Sequence, residues 1–362
     1  MNFEFSVECQ AMAAELRRVL AKVCPMDEVR RCLDERCSSQ VTWRALAELG
    51  VLGAAIPERW GGSGLTALEL AVCAEEVGRA CAPVPLLASV VLASEALLLA
   101  GSDALRERWL PALARGEVVG SLVFEAADLR LRGGRVTGAL PRVIAGLSAA
   151  FVIAPCEDGL LLVDLAGAGV RRKALRVLDP GCPLAAIEFE ETPGQSLDVS
   201  TSASVSGLLC ALRDRGAALL AFEQLGGADR ALEMARAYVM QRRTFGRTVA
   251  SYQAVKHRLA DVWVGNEIAR GHAYHAAWAL ASRSPALPLA AAGARVAAST
   301  AFEFAAQESL QLHGGIGFTW EADCHPLYKR ARATALALGS TSDWKRRLVD
   351  SLAEARGVEH GL

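Results

Sequence analysis

Apolar residues recur three and four positions apart through the first hundred residues of the chain. In "SVECQAMAAELRRVLAKV" (Ser6–Val23), "TWRALAELGVL" (Thr42–Leu52), "ALELAVCAEEVGRAC" (Ala67–Cys81) and "VPLLASVVLASEALLLAG" (Val84–Gly101) this spacing predicts amphipathic helices, punctuated by Pro and Gly. From Glu117 to about Gly194 the texture changes to short β-type runs, "VVGSLVFEA", "SAAFVIAPC", "GLLLVDL" and "LAAIEFEE". The turn-forming "RGGRVTG", "EDG" and "DPGCP" separate them. "TPGQSLDVSTSASVS" (Thr192–Ser206) reads as a linker, after which long helices resume. Tyr252, Val255, Leu259 and Val262 step by three, four and three, which places one apolar stripe along "SYQAVKHRLADVWVGNEIARGHAYHAAWAL". Dense alanine beside that stripe suits close packing in a bundle.

The zones predict an α+β architecture of three parts. An N-terminal helical domain covers residues 1–116, a small middle β-sheet or barrel covers 117–200, and a C-terminal helical bundle covers 201–362. With 52% hydrophobic and 22% charged residues, the chain is too apolar to remain disordered. The net charge is -1 and the basic residues are dispersed. No concentrated basic face is therefore expected for nucleic acid or a membrane, and the partners should be small molecules or other proteins. Ten cysteines without a CxxC pair read as reduced core residues. No basic segment followed by an apolar block opens the sequence, and no uncharged apolar run is long enough to span a bilayer, so the expected location is cytoplasmic.

Two segments carry candidate chemistry. In "LHGGIGF", Gly314, Gly315 and Gly317 end a helix and let backbone N–H groups approach an anion, a diphosphate being the natural one. In "QRRTFG", Arg242 can fork onto phosphate oxygens, Thr244 can donate a hydroxyl, and Phe245 offers a flat apolar face. Either motif alone reads more readily as a glycine cap or a solvated arginine pair. Together, with Gln253 on the helix between them, they favour a nucleotide cofactor.

Taken jointly, "YVMQRRTFGRTVASYQAVKH" (Tyr238–His257) and "QLHGGIGFTWEAD" (Gln311–Asp323) resemble the acyl-CoA dehydrogenase family of flavoproteins. "PERWGGSGLTALELAVCAEEVGRA" and "RWLPALARGEVVGSL" resemble that family's N-terminal loop and its entry to the β domain. The resemblance implies the family fold, and FAD as cofactor. It also implies that Arg242, Thr244, Phe245, Gly246 and Gln253, with Gln311, Leu312, His313, Gly314 and Gly315, hold the adenylate and diphosphate of an FAD seated in a neighbouring subunit. The family's own-subunit flavin loop, of the form "TEP-x-x-GSD", falls on "SLVFEAADLRLRGGRVTG". Glu125 matches the loop's Glu, whereas the Pro, the Gly-Ser-Asp and most of its length are missing.

Desaturation of an acyl-CoA moves an α proton onto a carboxylate, and losing a positioned base costs about 10²- to 10⁴-fold in rate. The family keeps that carboxylate at one of two places. The first aligns with Gly339 in "ALGSTS", the second with Gly216-Ala217 in "LRDRGAALLAF"; both lack it. Asp214, between Arg213 and Arg215, reads as an exposed ion-paired helix start, and Asp343 as a helix cap. Glu223 remains as a candidate base, with a structural role weighing more heavily. The histidines lack metal-ligand spacing, so no metal is expected.

The pattern of what is kept and lost resembles one subunit of a heterotetrameric acyl-CoA dehydrogenase of the kind acting on steroid side-chain thioesters. In that reading this chain lends FAD-holding turns and a second dehydrogenase-like subunit supplies the catalytic Glu and the acyl-CoA pocket. The alternatives are a self-sufficient homotetramer using Glu223, a non-catalytic scaffold, and a flavin oxidase or monooxygenase on the same fold. The acyl group, the electron acceptor and the choice between homo- and hetero-oligomer are not legible in the sequence.

Overall fold

A computed structural model describes residues 5–125, 128–157, 159–199 and 204–355. Helices α1 (Val7–Val23), α2 (Met26–Glu35), α3 (Gln40–Glu48) and α4 (Ala67–Arg79) come first. A π-helical stretch, Leu86–Ala93, runs into α5 (Ser94–Ala100), and α6 (Asp103–Ala114) follows. Seven strands come next: β1 (Gly120–Leu122), β2 (Asp128–Arg132), β3 (Arg135–Ile144), β4 (Phe151–Cys156), β5 (Gly159–Asp164), β6 (Val170–Ala174) and β7 (Leu184–Ser196). The chain then forms α7 (Val205–Gln241), a minimal hairpin of β8 (Arg243–Thr244) and β9 (Arg247–Thr248), α8 (Gln253–Ala281), α9 (Leu287–Leu312), α10 (Cys324–Leu336) and α11 (Thr341–Ala355). This is the expected succession of helices, small β domain and helical bundle. Among the described residues, no helix is long and apolar enough to cross a membrane.

The chain divides into two compact units. One comprises Arg31–Thr66 and Pro83–Gly216. Its sheet has the order β1-β4-β5-β7-β3-β2, with β6 also on β7; β1 and β4 are parallel and the other pairs antiparallel. Strand β7 pairs with β3 from Leu184 to Pro193 and then with β5 from Gly194 to Ser196, so one long strand closes the sheet around a core that includes Val136, Val152, Val163, Ile187 and Phe189. The expectation of a linker from Thr192 is corrected here. The segment continues as strand because the residues at Pro193-Gly194 pass the chain from one pairing partner to another, and the linker expected over 200–203 lies outside the described residues.

The other unit comprises Met1–Arg30, Ala67–Ala82 and Ala217–Leu362. Helices α8, α10 and α11 pack on α9, and Phe302 of α9 lies where a Cβ on Gly227 of α7 would come within 2.4 Å. Small residues set the closest contact in this unit. A Cβ on Gly78 of α4 would meet Glu223 O at 1.8 Å, and one on Gly226 of α7 would meet Glu75 O at 1.8 Å. The two backbones therefore touch with no side chain between them. Arginines surround this crossing: Arg270 reaches Glu75 (2.9 Å) and Asp229 (2.6 Å), Arg79 reaches Asp229 (3.2 Å) and Glu233 (2.5 Å), and Arg17 of α1 pairs with Glu76 at 2.6 Å. Glu76 is buried and Glu75 and Asp229 are half-buried, and the network stabilises because Asp229 and Arg270 each hold partners on two other elements.

Two sequence expectations change. Asp214 is not at an exposed helix start: α7 begins at Val205 and Asp214 is 3% exposed. Its neighbour Arg215 pairs with Glu95 at 3.0 Å and Arg213 lies 4.9 Å from the Phe124 ring, so the flanking arginines are anchored to protein rather than solvated. All ten cysteines are free thiols, but they are not all core residues. Six are buried, Cys37, Cys156 and Cys182 are half-buried, and Cys210 is exposed.

Candidate functional site

Helix α7 stops at Gln241, and the next seven residues fold back as the β8–β9 hairpin, with Arg243 facing Thr248 and Thr244 facing Arg247. Its two central residues, Phe245 and Gly246, have φ of +49° and +78°. Two successive positive φ values make the tight turn whose twist suits a two-residue hairpin. Glycine adopts this freely, whereas an aromatic residue held left-handed costs about 1–2 kcal/mol. Phe245 nevertheless occupies it, with its side chain 97% exposed. The hairpin is braced from behind. The Tyr252 hydroxyl donates to Thr244 O (3.2 Å), the Val249 N–H donates to Arg242 O (2.8 Å), and the Arg247 guanidinium lies 3.9 Å from the Tyr252 ring centroid. Gln253, the first residue of α8, is exposed beside it in sequence, as are Arg242 and Arg243.

The second turn begins where α9 ends. Gln311 and Leu312 are its last residues, His313 caps it, and Gly314–Phe318 form a 3₁₀ turn. Gly314 takes φ +64°, and Cβ atoms added at Gly314 or Gly315 would meet nothing within 4 Å. Their backbone therefore faces outward. Gly317 is different: it is buried, and a Cβ there would lie 2.2 Å from Leu310 O.

The bundle brings these two turns to the same end. The His313 ring stacks on Tyr238 of the last turns of α7, with centroids 4.5 Å apart and planes at 27°, and its Nδ1 hydrogen-bonds Ser309 O at 2.6 Å. Arg258, near the start of α8, pairs with Glu308, near the end of α9, at 3.6 Å. Residues 242–253 and 311–315, distant in sequence, thus share one pole. That pole offers an unshielded guanidinium at Arg242, a flat aromatic face at Phe245, side-chain amides at Gln253 and Gln311, and the open backbone of Gly314-Gly315. This donor set suits a diphosphate flanked by an aromatic ring system.

Among the described residues, no comparable arrangement holds a base. Gly339 sits in a short bridge between Ala337 and Gly339 with φ +104°, a conformation that a Glu could adopt only under strain. The adjacent Leu338 O accepts from Trp344 Nε1 at 3.1 Å, which fixes the loop. Asp343 caps α11 as the sequence suggests. Its Oδ2 accepts from Ser340 N–H (3.0 Å) and Ser340 Oγ (2.6 Å), while Asp343 N–H donates to Ser340 Oγ (3.2 Å), a reciprocal capping box. At the second position, Gly216 and Ala217 are buried inside α7.

Glu223 lies in the interior of the bundle. It is 8% exposed, and its Oε1 is 3.5 Å from Nη1 of Arg330, which is fully buried and also donates to Ala82 O at 3.0 Å. Along α7 it stands about 27 Å from the helix end at Gln241, at 1.5 Å per residue. The structure therefore does not bring it to the pole of the turns. The residue after it opens a buried polar cluster that sequence reasoning missed. Arg295 of α9 donates to Gln224 Oε1 at 2.7 Å, to Ser299 Oγ and to Thr334 O, and the Gln224 amide donates to Thr334 Oγ1 at 3.3 Å. Burial pushes the Arg295 pKa down to about 10. The available signal was a single arginine inside the alanine-rich "AAAGARVAAST". Glu125, the counterpart of the flavin-loop Glu, is exposed and paired with Arg142 at 2.5 Å.

Comparison with known proteins identifies the family. Residues 6–117 match the acyl-CoA dehydrogenase N-terminal domain and residues 213–351 the acyl-CoA dehydrogenase C-terminal domain. The chain is 33% identical over 350 residues to acyl-CoA dehydrogenase IpdE2 of Mycobacterium tuberculosis, covering 96% of this chain and 98% of that protein. A chain of the ChsE4-ChsE5 complex from Mycobacterium tuberculosis is similar in structure with a TM-score of 0.87 at 26% identity, covering 98% of this chain and 99% of its own. A chain of a Tcur3481-Tcur3483 steroid ACAD variant gives 0.86 at 27% identity, covering 97% and 99%. With its N- and C-terminal regions both matched and a relative aligned over nearly its full length, this chain belongs to the acyl-CoA dehydrogenase family.

Proposed function

We propose that the chain is one subunit of an FAD-dependent acyl-CoA dehydrogenase that desaturates a CoA thioester between its α and β carbons, in a complex with a second, unlike family member. One observation carries this reading. A strained, almost fully exposed Phe245 stands with Arg242 and the open Gly314-Gly315 backbone at one pole of the bundle, while neither place where the family keeps its base holds a carboxylate. A chain that shows its nucleotide-holding surface outward and lacks a base is one half of a shared site.

In this reading Arg242 and the N–H groups of the Gln311–Gly315 turn, with Leu312 and His313 shaping its entry, hold the diphosphate. Thr244, Gly246 and Gln253 fix the adenylate beside Phe245. FAD held there would supply the acceptor for a hydride from the β carbon, and a carboxylate of the second subunit would take the α proton. The ChsE4-ChsE5 and Tcur3481-Tcur3483 structures support pairing with an unlike chain, and the steroid named for the latter supports a steroid side-chain thioester as the substrate. The burial of Glu223 against Arg330 weighs against a self-sufficient homotetramer.

The test is flavin content and native mass for the chain alone and co-expressed with an acyl-CoA dehydrogenase-like partner. The expected result is a complex with a single flavin per unlike pair, and loss of one charge-assisted contact in Arg242→Ala should weaken FAD retention about tenfold or more. A lone chain that is fully flavinylated and bleaches with acyl-CoA refutes the heteromeric reading.

A further inference from the structure

The Gly314–Phe318 turn is anchored on its upstream side by the His313–Tyr238 stack. Its downstream side is held by a residue from the opposite end of the sequence. Arg30 of α2 lies 293 residues before Asp323, within the same compact unit. Its Nε and Nη2 donate to Asp323 Oδ1 at 3.1 and 2.9 Å, Nη1 donates to Trp320 O at 2.5 Å, and Nη2 donates to Glu321 O at 2.9 Å. The guanidinium carbon also lies 5.5 Å from the Trp320 ring centroid, and Lys329 Nζ lies 4.3 Å from it.

Few side chains occupy their donors so fully on one short segment. Trp320 and Glu321 sit between the 3₁₀ turn and α10, so their carbonyls have no helical ladder to join. Arg30 is 16% exposed at its side chain whereas Asp323 is 51% exposed, so the arginine is the more shielded half of the pair. Between the two anchors the backbone at Gly314 and Gly315 has nothing beside it within 4 Å of an added Cβ. Gly317 is packed against Leu310 O and Cys324, but the open Gly314-Gly315 stretch has few contacts of its own and opens locally at little cost unless the segment is fixed on both sides.

We propose that Arg30 is a positioning residue for the cofactor turn: by clamping Trp320, Glu321 and Asp323 it holds the Gly314–Phe318 backbone in the conformation that receives a diphosphate. This rests on the reading that the turn holds the diphosphate of FAD. The arginine does not itself touch the cofactor. Its contribution is preorganisation, so that binding does not have to order the loop.

Two readouts separate this proposal from the reading beneath it. The first is amide hydrogen exchange over residues 314–323, which needs no flavin. Arg30→Ala should accelerate it about tenfold or more through loss of charge-assisted hydrogen bonds, with exchange in the body of α8 and α9 unchanged. Arg30→Lys, which retains the charge but not the fork, should recover part of the protection; it and Asp323→Asn also serve if the alanine variant does not fold. The second is FAD release from the co-expressed complex, expected to quicken about tenfold in Arg30→Ala, partly restored in Arg30→Lys. Unchanged exchange overturns the clamp. Faster exchange with normal FAD release, while Arg242→Ala loses FAD, overturns the positioning role and leaves the FAD reading standing. Normal release in both Arg30→Ala and Arg242→Ala, despite faster exchange, overturns the FAD reading together with the positioning role.

Discussion

Glu223→Gln distinguishes a structural carboxylate from a displaced catalytic base. The carboxylate is 8% exposed, and it stands 3.5 Å from Arg330, whose side chain is 2% exposed. A second buried guanidinium, Arg295, donates to Gln224, the next residue in the chain, and feels the Glu223 charge. Removing the negative partner of a buried pair costs about 3–5 kcal/mol when the geometry is close. Here the separation is long, glutamine keeps the shape and one acceptor, and Arg330 retains Ala82 O at 3.0 Å, so a loss of about 2–3 kcal/mol is expected. The thermal midpoint should therefore fall by several degrees, and replacing both partners, Glu223→Gln with Arg330→Met, should cost less than the two single changes added together. Turnover of the flavin-loaded complex should remain within about threefold of wild type, because loss of a true general base would remove about 10²- to 10⁴-fold. Calorimetry of the chain and steady-state turnover with an acyl-CoA measure both quantities on one preparation. A hundredfold fall in kcat with unchanged melting and flavin content would show that the base is Glu223 and that the structural argument is wrong.

The α4–α7 crossing makes the opposite kind of forecast. Gly226→Ala adds about 1 kcal/mol of helix propensity, but its Cβ would lie 1.8 Å from Glu75 O; forcing the helices apart costs about 1–3 kcal/mol and strains the Arg270–Glu75 and Arg79–Asp229 pairs. Net destabilisation in urea is expected, and a variant at least as stable as wild type would contradict the close approach. Burial pushes the Cys73 thiol up to about 12. A raised folded pKa means that the folded state keeps a proton that the unfolded chain gives up, so the contribution is whole below pH 9 and is lost as pH rises from about 9 towards 12. By pH 10 wild type should have lost about 1.4 kcal/mol relative to neutral pH that Cys73→Ala does not lose; parallel stability profiles for the two proteins would refute it.

The fold was legible because its signals are local and repeated. The stripe from Tyr252 to Val262 and the glycine turn after Leu312 are written in short windows, and they correspond to α8 and to the end of α9. Asp214 was misread because arginines on both sides suggest solvent, yet the start of α7 at Val205 puts that turn well inside the helix, where the arginines find Glu95 and Phe124. The strand through Thr192–Ser196 was read as linker because Pro and Gly usually break strands, and only the change of partner from β3 to β5 explains them. Arg30 had no local mark, and the only mark of Arg295 was its isolation in an alanine-rich run. Their meaning lies in Asp323 and in Gln224, residues a one-dimensional pattern cannot bring near them.

The division of the chain also orders its manufacture. The unit built from Arg31–Thr66 and Pro83–Gly216 has all its parts once Gly216 leaves the ribosome, whereas α1 and α4 belong with residues beyond Ala217. Those two helices emerge early and wait. At about 5–20 residues per second the stretch between α4 and Ala217 takes roughly seven to thirty seconds to appear, and for that interval the apolar faces of α1 and α4, Leu16, Leu20, Leu70 and Val77 among them, have nothing of their own unit to bury against except each other. The nascent chain therefore presents a timed opening for a chaperone, set by the interleaving of its two units.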